Sequence, residues 1–582
     1  MKKIFEKNGV LRSIGTLTAF VSIVLLVVAA CLSAGTLKLI FDIAGVSLLG
    51  CSVILWFFNN MKKRGVMNMI GTIMLIVSFT LFVVSIFVDP YTADMILKTV
   101  GILLFLVGGL ILSIKSDEHQ LVKSLLVLVA AAIICSWLYP YGYFQGADFS
   151  EYGSRRIGIT DLGYAVYYAI NFTMDKITYL LILAGFYGVL SKISGYEKLV
   201  TSMANKLKNK PIIVSVCISV VLFVLTSLFS QTYVVILFIP FLVSVLSKMK
   251  IDKLTTFAIT FGSLLVGVLG STYGTDALTA FNYYSGQEIT VGLTYRFIVA
   301  AVALVLYNFF IVMRLKKVAK DKSNAIVEDP FEVADPKEKK SSLPVVIVLF
   351  LVSVVTILGY ITWETIFKIT VFNSFHEWLT TLEAGEGFTI FKYILGENAS
   401  AFGTFGYAFT IGGMLLLASV LLAYLYHMSL NDYLKNFYEG LKKAFKPVLY
   451  IIGVYIIFGF CYLSPFVPTI ANWVLNFVAG FNPYLTSLMA FVTSLFHADL
   501  GYSSYLVGGF VTAVYADNIE IAHTIFTTMY GLVQIFMPTS LVLVTGLSLM
   551  KIDYKSWFKY IWLFVVGMLV ILLVLFTVVT YI

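Results

Sequence analysis

Long apolar runs separated by short charged connections set the pattern of this chain. A helix needs about 20 apolar residues to cross a bilayer. Such runs fall at about residues 13–34, 37–58, 67–88, 96–114, 122–139 and 177–193. They return at 254–281, 294–314, 344–361, 405–427, 447–463 and 557–581. The pattern predicts an all-α polytopic membrane protein. Pro211 to Ser247 stands apart, as 37 residues without a charge. Lys198, Lys206, Lys208 and Lys210 precede it, and Lys248, Lys250 and Lys253 follow. Positive charge marks the cytoplasmic ends of membrane helices, so both ends of this run belong on one side. The chain must turn back within it, and Ser230-Gln231-Thr232 is the polar point where it can. Non-helical backbone is tolerated at depth only inside protein or beside a water-filled cavity.

Composition supports this reading. Of 582 residues, 60% are hydrophobic and only 12% charged, against roughly 25% charged in soluble domains. The net charge of +9 sits in the loops and orients the helices, so it is not a nucleic-acid footprint. Cys31, Cys51, Cys135, Cys217 and Cys461 lie in or beside apolar runs, with neither metal nor disulfide spacing. Lys2, Lys3, Lys7 and Arg12 precede a first transmembrane helix rather than a removed signal, and place the N-terminus in the cytoplasm.

Four segments follow. Residues 1–118 form an accessory region of four lipid-facing helices, and 119–314 a first transporter half. Residues 315–342 are polar and charged in both signs, which predicts a flexible cytoplasmic linker. Residues 343–582 form a second half, with 363–403 outside. The halves share an order of parts. Each has an amphipathic stretch ending in Pro and a polar-tipped hairpin containing Ser-Leu-Phe, at 211–247 and 483–516. Each then has a helix broken at "GSTYGTDAL" or "PTS". The separation is about 268 residues. Lysines flank the first hairpin and are missing from the stretch before the second, as expected of structures entering from opposite faces. Paired hairpins and broken helices in inverted repeats build the midplane sites of many secondary transporters.

The stretches "CSWLYPYGYF", "LAGFYGVLSKISGYEKLVTSMANKLK", "SQTYVVILFIPFLV", "GVLGSTYGTDALTAF" and "IFMPTSLVLVTGLSLMKIDYKSWFKYIW" carry a resemblance. From about residue 120 to 582 the chain resembles YfcC/DcuC-type carriers of the ion transporter superfamily, and residues 1–118 fall outside it. Ser230-Gln231-Thr232 is similar to the Ser-Asn-Thr hairpin motif of divalent anion/sodium symporters there, with Gln in the middle place. Tyr273-Gly274 stand where the family commonly has Asn-Pro.

The expected substrate and ion site lies at the two tips and two breaks. It comprises Ser230, Gln231, Thr232, Ser271, Thr272, Thr275 and Asp276, with His497, Asp499, Ser503, Ser504, Thr539 and Ser540. Ionisable groups within membranes are expensive and mark function by default. Oxygens of Thr232, Ser271, Thr272, Thr539 and Ser540 could hold a sodium ion, and the coupling ion is either sodium or a proton. Asp517, Glu520 and His523 are expected in solvent at outer helix ends. The predicted midplane holds no Arg or Lys, so a carboxylate would rely on helix N-termini, hydroxyls and a bound cation, while Asp276 and Asp499 favour an amino group or a cation; this tilts the substrate toward amino acids or related carboxylates over simple C4-dicarboxylates. The expected function is secondary transport of a small polar metabolite by alternating access, in a bacterial plasma membrane. A C4-dicarboxylate carrier, a channel and a membrane scaffold are the alternatives, and assembly as a homodimer stays open. No HExxH or Cys/His cluster occurs, so nothing points to a membrane enzyme.

Overall fold

The structure is a computed structural model. It describes residues 10–31, 44, 45, 48, 52, 55, 65–86, 88, 91–116, 118–274, 276–321, 326–333, 340–385, 387–478, 480–496 and 500–581. Two compact units emerge, Met1–Leu138 and Tyr139–Ile582. Among the described residues, ten helices are long and apolar enough to cross a membrane.

The first unit contains α1 (Val10–Cys31), α2 (Gly65–Ser85), α3 (Tyr91–Lys115) and α4 (Gln120–Leu138). Most of the expected run 37–58 lies outside the described residues. Lipid provides no hydrophobic drive between helices, so small residues that let backbones approach do the work. A Cβ on Gly108 would fall 2.8 Å from the Gly71 carbonyl oxygen, joining α2 to α3, and Gly109 receives Val127 of α4.

The second unit opens with a hairpin absent from the sequence reading, β1 (Gly142–Gln145) paired antiparallel with β2 (Asp148–Glu151). Next come α5 (Asp161–Leu190), amphipathic α6 (Ser194–Leu207) and α7 (Pro211–Leu228). A 3-10 turn (Thr232–Phe238) leads to α8 (Ile239–Lys248). Then follow α9 (Lys253–Leu269), α10 (Asp276–Ser285) and α11 (Leu293–Lys320). α5 begins well before the expected 177, which brings Asp175 and Lys176 inside a helix. Past the linker lie α12 (Leu343–Tyr360), three short helices between Trp363 and Leu395, and α13 (Gly412–Leu425). α14 (Leu430–Leu463) is one continuous helix through Pro447, so the lysines expected in a loop before 447 lie on its first turns. Ser429 starts it by accepting from the Asp432 amide. The chain closes with α15 (Val467–Leu475), α16 (Pro483–Phe496), α17 (Leu500–Val514), α18 (Ile519–Gln534), α19 (Leu541–Leu549) and α20 (Tyr554–Tyr581).

Contacts fix the direction of each hairpin. Ser263 in α9 donates to Ser219 in α7 at 2.8 Å, and Ser227 at the end of α7 donates to the Gly270 carbonyl beyond α9 at 2.9 Å. The helices therefore run parallel. α9 begins where Lys253 N donates to Ile326 O of the linker, and α8 ends where Ser247 donates to Glu328 O. Hairpin 211–248 thus enters and leaves on the linker side. In the second hairpin, Phe481 and Tyr515 flank the two ends with ring centroids 5.1 Å apart. Tyr484 bonds Thr577, late in α20. Tyr560, early in α20, lies 5.5 Å from Arg314, which holds Asp252 on the linker side. Seventeen helical residues separate Tyr560 from Thr577, about 25 Å, so the second hairpin opens on the opposite face.

The linker is less free than its composition suggests. Lys253 pairs with Glu328 at 2.7 Å, and Lys443 of α14 with Glu332 at 3.2 Å. Asp329 accepts from Ser244 and from the Phe331 and Val333 amides. Burial raises its carboxyl above the ordinary range, against those three bonds. Phe331 lines a cavity with Leu183, Tyr187, Ile236, Pro240 and Lys443. Residues 326–333 are therefore a strap tied to both halves, because their apolar residues and one capping carboxylate give a short segment something to bury.

Two outcomes test these contacts. Single cysteines at Lys210 and Lys248 should react with impermeant reagent from the same side, and one at Tyr484 from the other. Gly440 is held against the Ala184 carbonyl with no room for a Cβ. Gly440→Val should cost about 1–3 kcal/mol and visibly lower the melting temperature of the solubilised protein.

Candidate functional site

The first break, Gly270 to Gly274, is organised by a residue the sequence reading passed over. Ser227 Oγ lies 2.8 Å from Thr272 Oγ1 and accepts from the Thr272 amide at 3.1 Å. Its carbonyl accepts from the Tyr273 and Gly274 amides at 3.2 and 3.1 Å. Gly274 is required, because a Cβ there would strike the Leu228 carbonyl. Arg296, in the first turn of α11, closes the break from the other side. Its Nη1 donates to Thr272 O at 2.7 Å, and its Nη2 to Val291 O at 3.0 Å and to Ile289 O. The residue is 1% exposed and its Nε has no partner, and among the described side chains it pairs with no carboxylate. This corrects the expectation that no Arg reaches the site. The sequence clue was Arg296 only four residues past Gly292, at the mouth of an otherwise apolar helix.

The tip Ser230-Gln231-Thr232 faces elsewhere than expected. Ser230 N donates to Tyr360 O at 2.9 Å and its Oγ to Phe405 O at 3.2 Å. Gln231 Nε2 donates to Gly406 O at 2.8 Å, while its Oε1 is buried without a partner. Thr232 is buried at the start of the 3-10 turn. Phenols satisfy that turn's spare carbonyls, with Tyr179 donating to Val234 O at 2.9 Å and Tyr187 to Leu237 O at 2.8 Å. Tyr233 reaches Thr545 of α19 at 2.8 Å, so the first hairpin touches the second half's broken helix. Nearby in α5, Asp175 accepts from the Phe409 amide at 2.9 Å.

The second break, Ile535 to Ser540, repeats the arrangement with different chemistry. Trp557, in the first turn of α20, donates Nε1–H to Ile535 O at 2.9 Å, and Tyr554 donates to Phe536 O at 2.6 Å. Ser540 accepts from Leu543 N as the cap of α19. Gln534 Nε2 and Thr539 Oγ1 are buried without partners. Gln534 was missed, although an amide between Val533 and Ile535 was visible in the sequence. α18 and α9 cross where a Cβ on Gly531 would strike the backbone of Leu269. On α9, Ala258–Gly262 form a π turn whose freed Ala258 carbonyl accepts from Tyr307 at 2.7 Å. Such turns gather at functional sites.

His523 corrects another expectation. It is fully buried, while Asp517 and Glu520 are exposed as anticipated. Its Nε2 bonds Asn282 Oδ1 and its ring meets Phe281 edge-on at 4.7 Å. Ser271 is buried beside Thr272. Thr275, His497 and Asp499, and the side chains of Asp276, Ser503 and Ser504, lie outside the described residues. Among the described residues no group of three His, Cys, Asp or Glu could hold a metal. The assembled chemistry is one of hydrogen-bond donors: a guanidinium, amides and hydroxyls at two helix breaks.

Comparison with protein families gives one match. The model of DcuC, the C4-dicarboxylate anaerobic carrier, covers residues 69–581. It begins within α2, well before residue 120 where the sequence resemblance starts, and so takes in α3. A comparison with curated proteins finds no match.

Thr539 offers a test that separates function from packing. Replacing an unpartnered buried hydroxyl by a methyl of the same shape is nearly neutral or stabilising. Thr539→Val should keep the melting temperature and cut substrate uptake at least tenfold if the hydroxyl serves a ligand; wild-type uptake would remove it from the site.

Proposed function

The chain belongs to the DcuC family of C4-dicarboxylate anaerobic carriers, and on that premise we propose that it moves a C4-dicarboxylate by alternating access between two inverted halves. As a carrier it is no enzyme. The observation that carries the substrate reading is Arg296, a buried cation with no carboxylate partner among the described side chains. Buried charges are ordinarily paired, and a substrate carboxylate is the partner this one lacks. With Arg296 at the break, one of the two reasons for leaning toward amino acids, the lack of a cation, falls away. The Gln534 amide and Thr539 hydroxyl supply further polar groups at the second break.

The element order supports the inverted repeat. Arg296 and Trp557 each occupy the fourth position of the second helix after a break and cap a carbonyl of that break. The hairpins open on opposite faces, and Gly531 brings the two broken helices into contact.

Sodium suits the first break poorly. The Thr272 carbonyl already accepts from a guanidinium, and its hydroxyl is engaged with Ser227. A second cation there would meet like charge. Thr539 leaves an oxygen free at the second break, so sodium would have to rely on that side; protons are the better coupling ion in this reading. The lysine-rich linker side faces the cytoplasm of a bacterial plasma membrane, with the N-terminus on that side.

The test is uptake of labelled succinate by the purified protein in liposomes. Wild type should show saturable exchange against internal succinate. Arg296→Gln should lose it at least a hundredfold, and Arg296→Lys should retain part, since an ammonium keeps the charge without the planar fork. Undiminished exchange by Arg296→Gln would remove this residue as the carboxylate partner.

A further inference from the structure

We infer that His523, with Asn282, is the proton-binding site that accompanies the anion, an inference resting on the carboxylate reading above. Asn282 lies on α10, just after the first break, and His523 on α18, before the second. The pair therefore bridges the two halves at the place where their broken helices run side by side.

The hydrogen-bond inventory is incomplete there. His523 Nε2 and Asn282 Oδ1 bond each other. His523 Nδ1 and Asn282 Nδ2 are both buried and have no partner. In the tautomer that places the proton on Nε2, Nδ1 carries a bare lone pair. A buried structural histidine normally engages both nitrogens. One bonded and one bare nitrogen leaves a proton acceptor fixed in orientation.

The surroundings explain why a proton would bind only with the anion. Gly292 at the start of α11 packs against Glu520 and Thr524 of α18, and Arg296 follows one turn later on the same helix. Arg296 is the charged group that α11 turns toward this region. The described side chains of α10 facing the pair are Phe281 and Asn282; that of Asp276 is undescribed. α16 offers Ser487 and no charge; α17, packed on α10, has no charged residue in its sequence, with His497 and Asp499 before it undescribed; the one charge of α9, Lys253, is at its far, linker end; and on α18 itself Glu520 is exposed. With the site empty, no described carboxylate compensates the Arg296 guanidinium, and its charge opposes protonation of the histidine. A dicarboxylate neutralising Arg296 removes that opposition. The proton adds to the Nδ1 lone pair, giving imidazolium with no other bond made or broken, and leaves with the anion when the site opens. Anion and proton then bind cooperatively, each favouring the other by the same factor.

The experiment uses the full-length protein. Succinate is added to solubilised wild type in weak buffer at about pH 7, near the ordinary range of histidine, and proton uptake is read with a pH dye. About one proton per bound succinate is expected, and none with His523→Gln. In liposomes, net succinate uptake by His523→Gln should fall at least tenfold and lose its dependence on pH between about 6 and 8. Succinate binding without proton uptake in wild type, or full proton uptake by a folded His523→Gln, overturns the proposal. The wild-type measurement decides the matter even where the variant fails to fold. Wild type that neither binds nor exchanges succinate sinks the carrier reading itself, and this inference with it; intact exchange without proton uptake sinks the inference alone.

Discussion

A helix that stops inside a membrane leaves carbonyls and amides with no water to take them, at a cost of several kcal/mol for each group left unpaired. The architecture of the second unit follows from meeting that demand twice. At the first break Ser227 takes the amides of Thr272, Tyr273 and Gly274, and Arg296 takes the Thr272 carbonyl. At the second, Trp557 and Tyr554 take the carbonyls of Ile535 and Phe536. Even the return arm of the first hairpin is held this way, its spare carbonyls caught by Tyr179 and Tyr187. Polar side chains in this apolar chain are placed where backbone would otherwise be stranded.

The same demand is met by different residues at the two breaks. An indole satisfies a carbonyl and leaves nothing over. A guanidinium satisfies three and still carries a charge, with Nε unpartnered. The two breaks solve one structural problem with residues of different electrical consequence, and the proposed anion site rests on that asymmetry. Membership in a dicarboxylate carrier family is the premise on which that proposal was made.

Much of the fold was legible because hydropathy and lysine placement report directly on membrane crossing. The uncharged run 211–247 with basic flanks identified a hairpin from charge alone, and Ser-Thr breaks marked α9 and α18. What the pattern could not show was partnership. Ser227 reads as one more hydroxyl in an apolar helix until the parallel course of α7 and α9 sets it against Thr272. Arg296 reads as a flanking charge, and His523 as a solvent residue near Glu520, because a residue's distance from a helix end says little when that end is itself covered by protein. The strap at 326–333 escaped for the opposite reason: composition averages over the long polar stretch and hides Phe331 and Val333. The β1–β2 hairpin is too short to register as alternation.

The crossing at Gly531 and Leu269 has a mechanical consequence. Two rods that meet backbone to backbone, with no side chain between them, share a fulcrum. Rotation about such a point moves the distal ends a long way while the centre barely shifts. Gly531 lies one turn from Gln534, and Leu269 adjoins Gly270, so the proposed ligand groups sit close to the hub and the helix ends sit far out on the lever arms. Swivelling there would open one mouth and shut the other while leaving the grip on the cargo nearly unchanged.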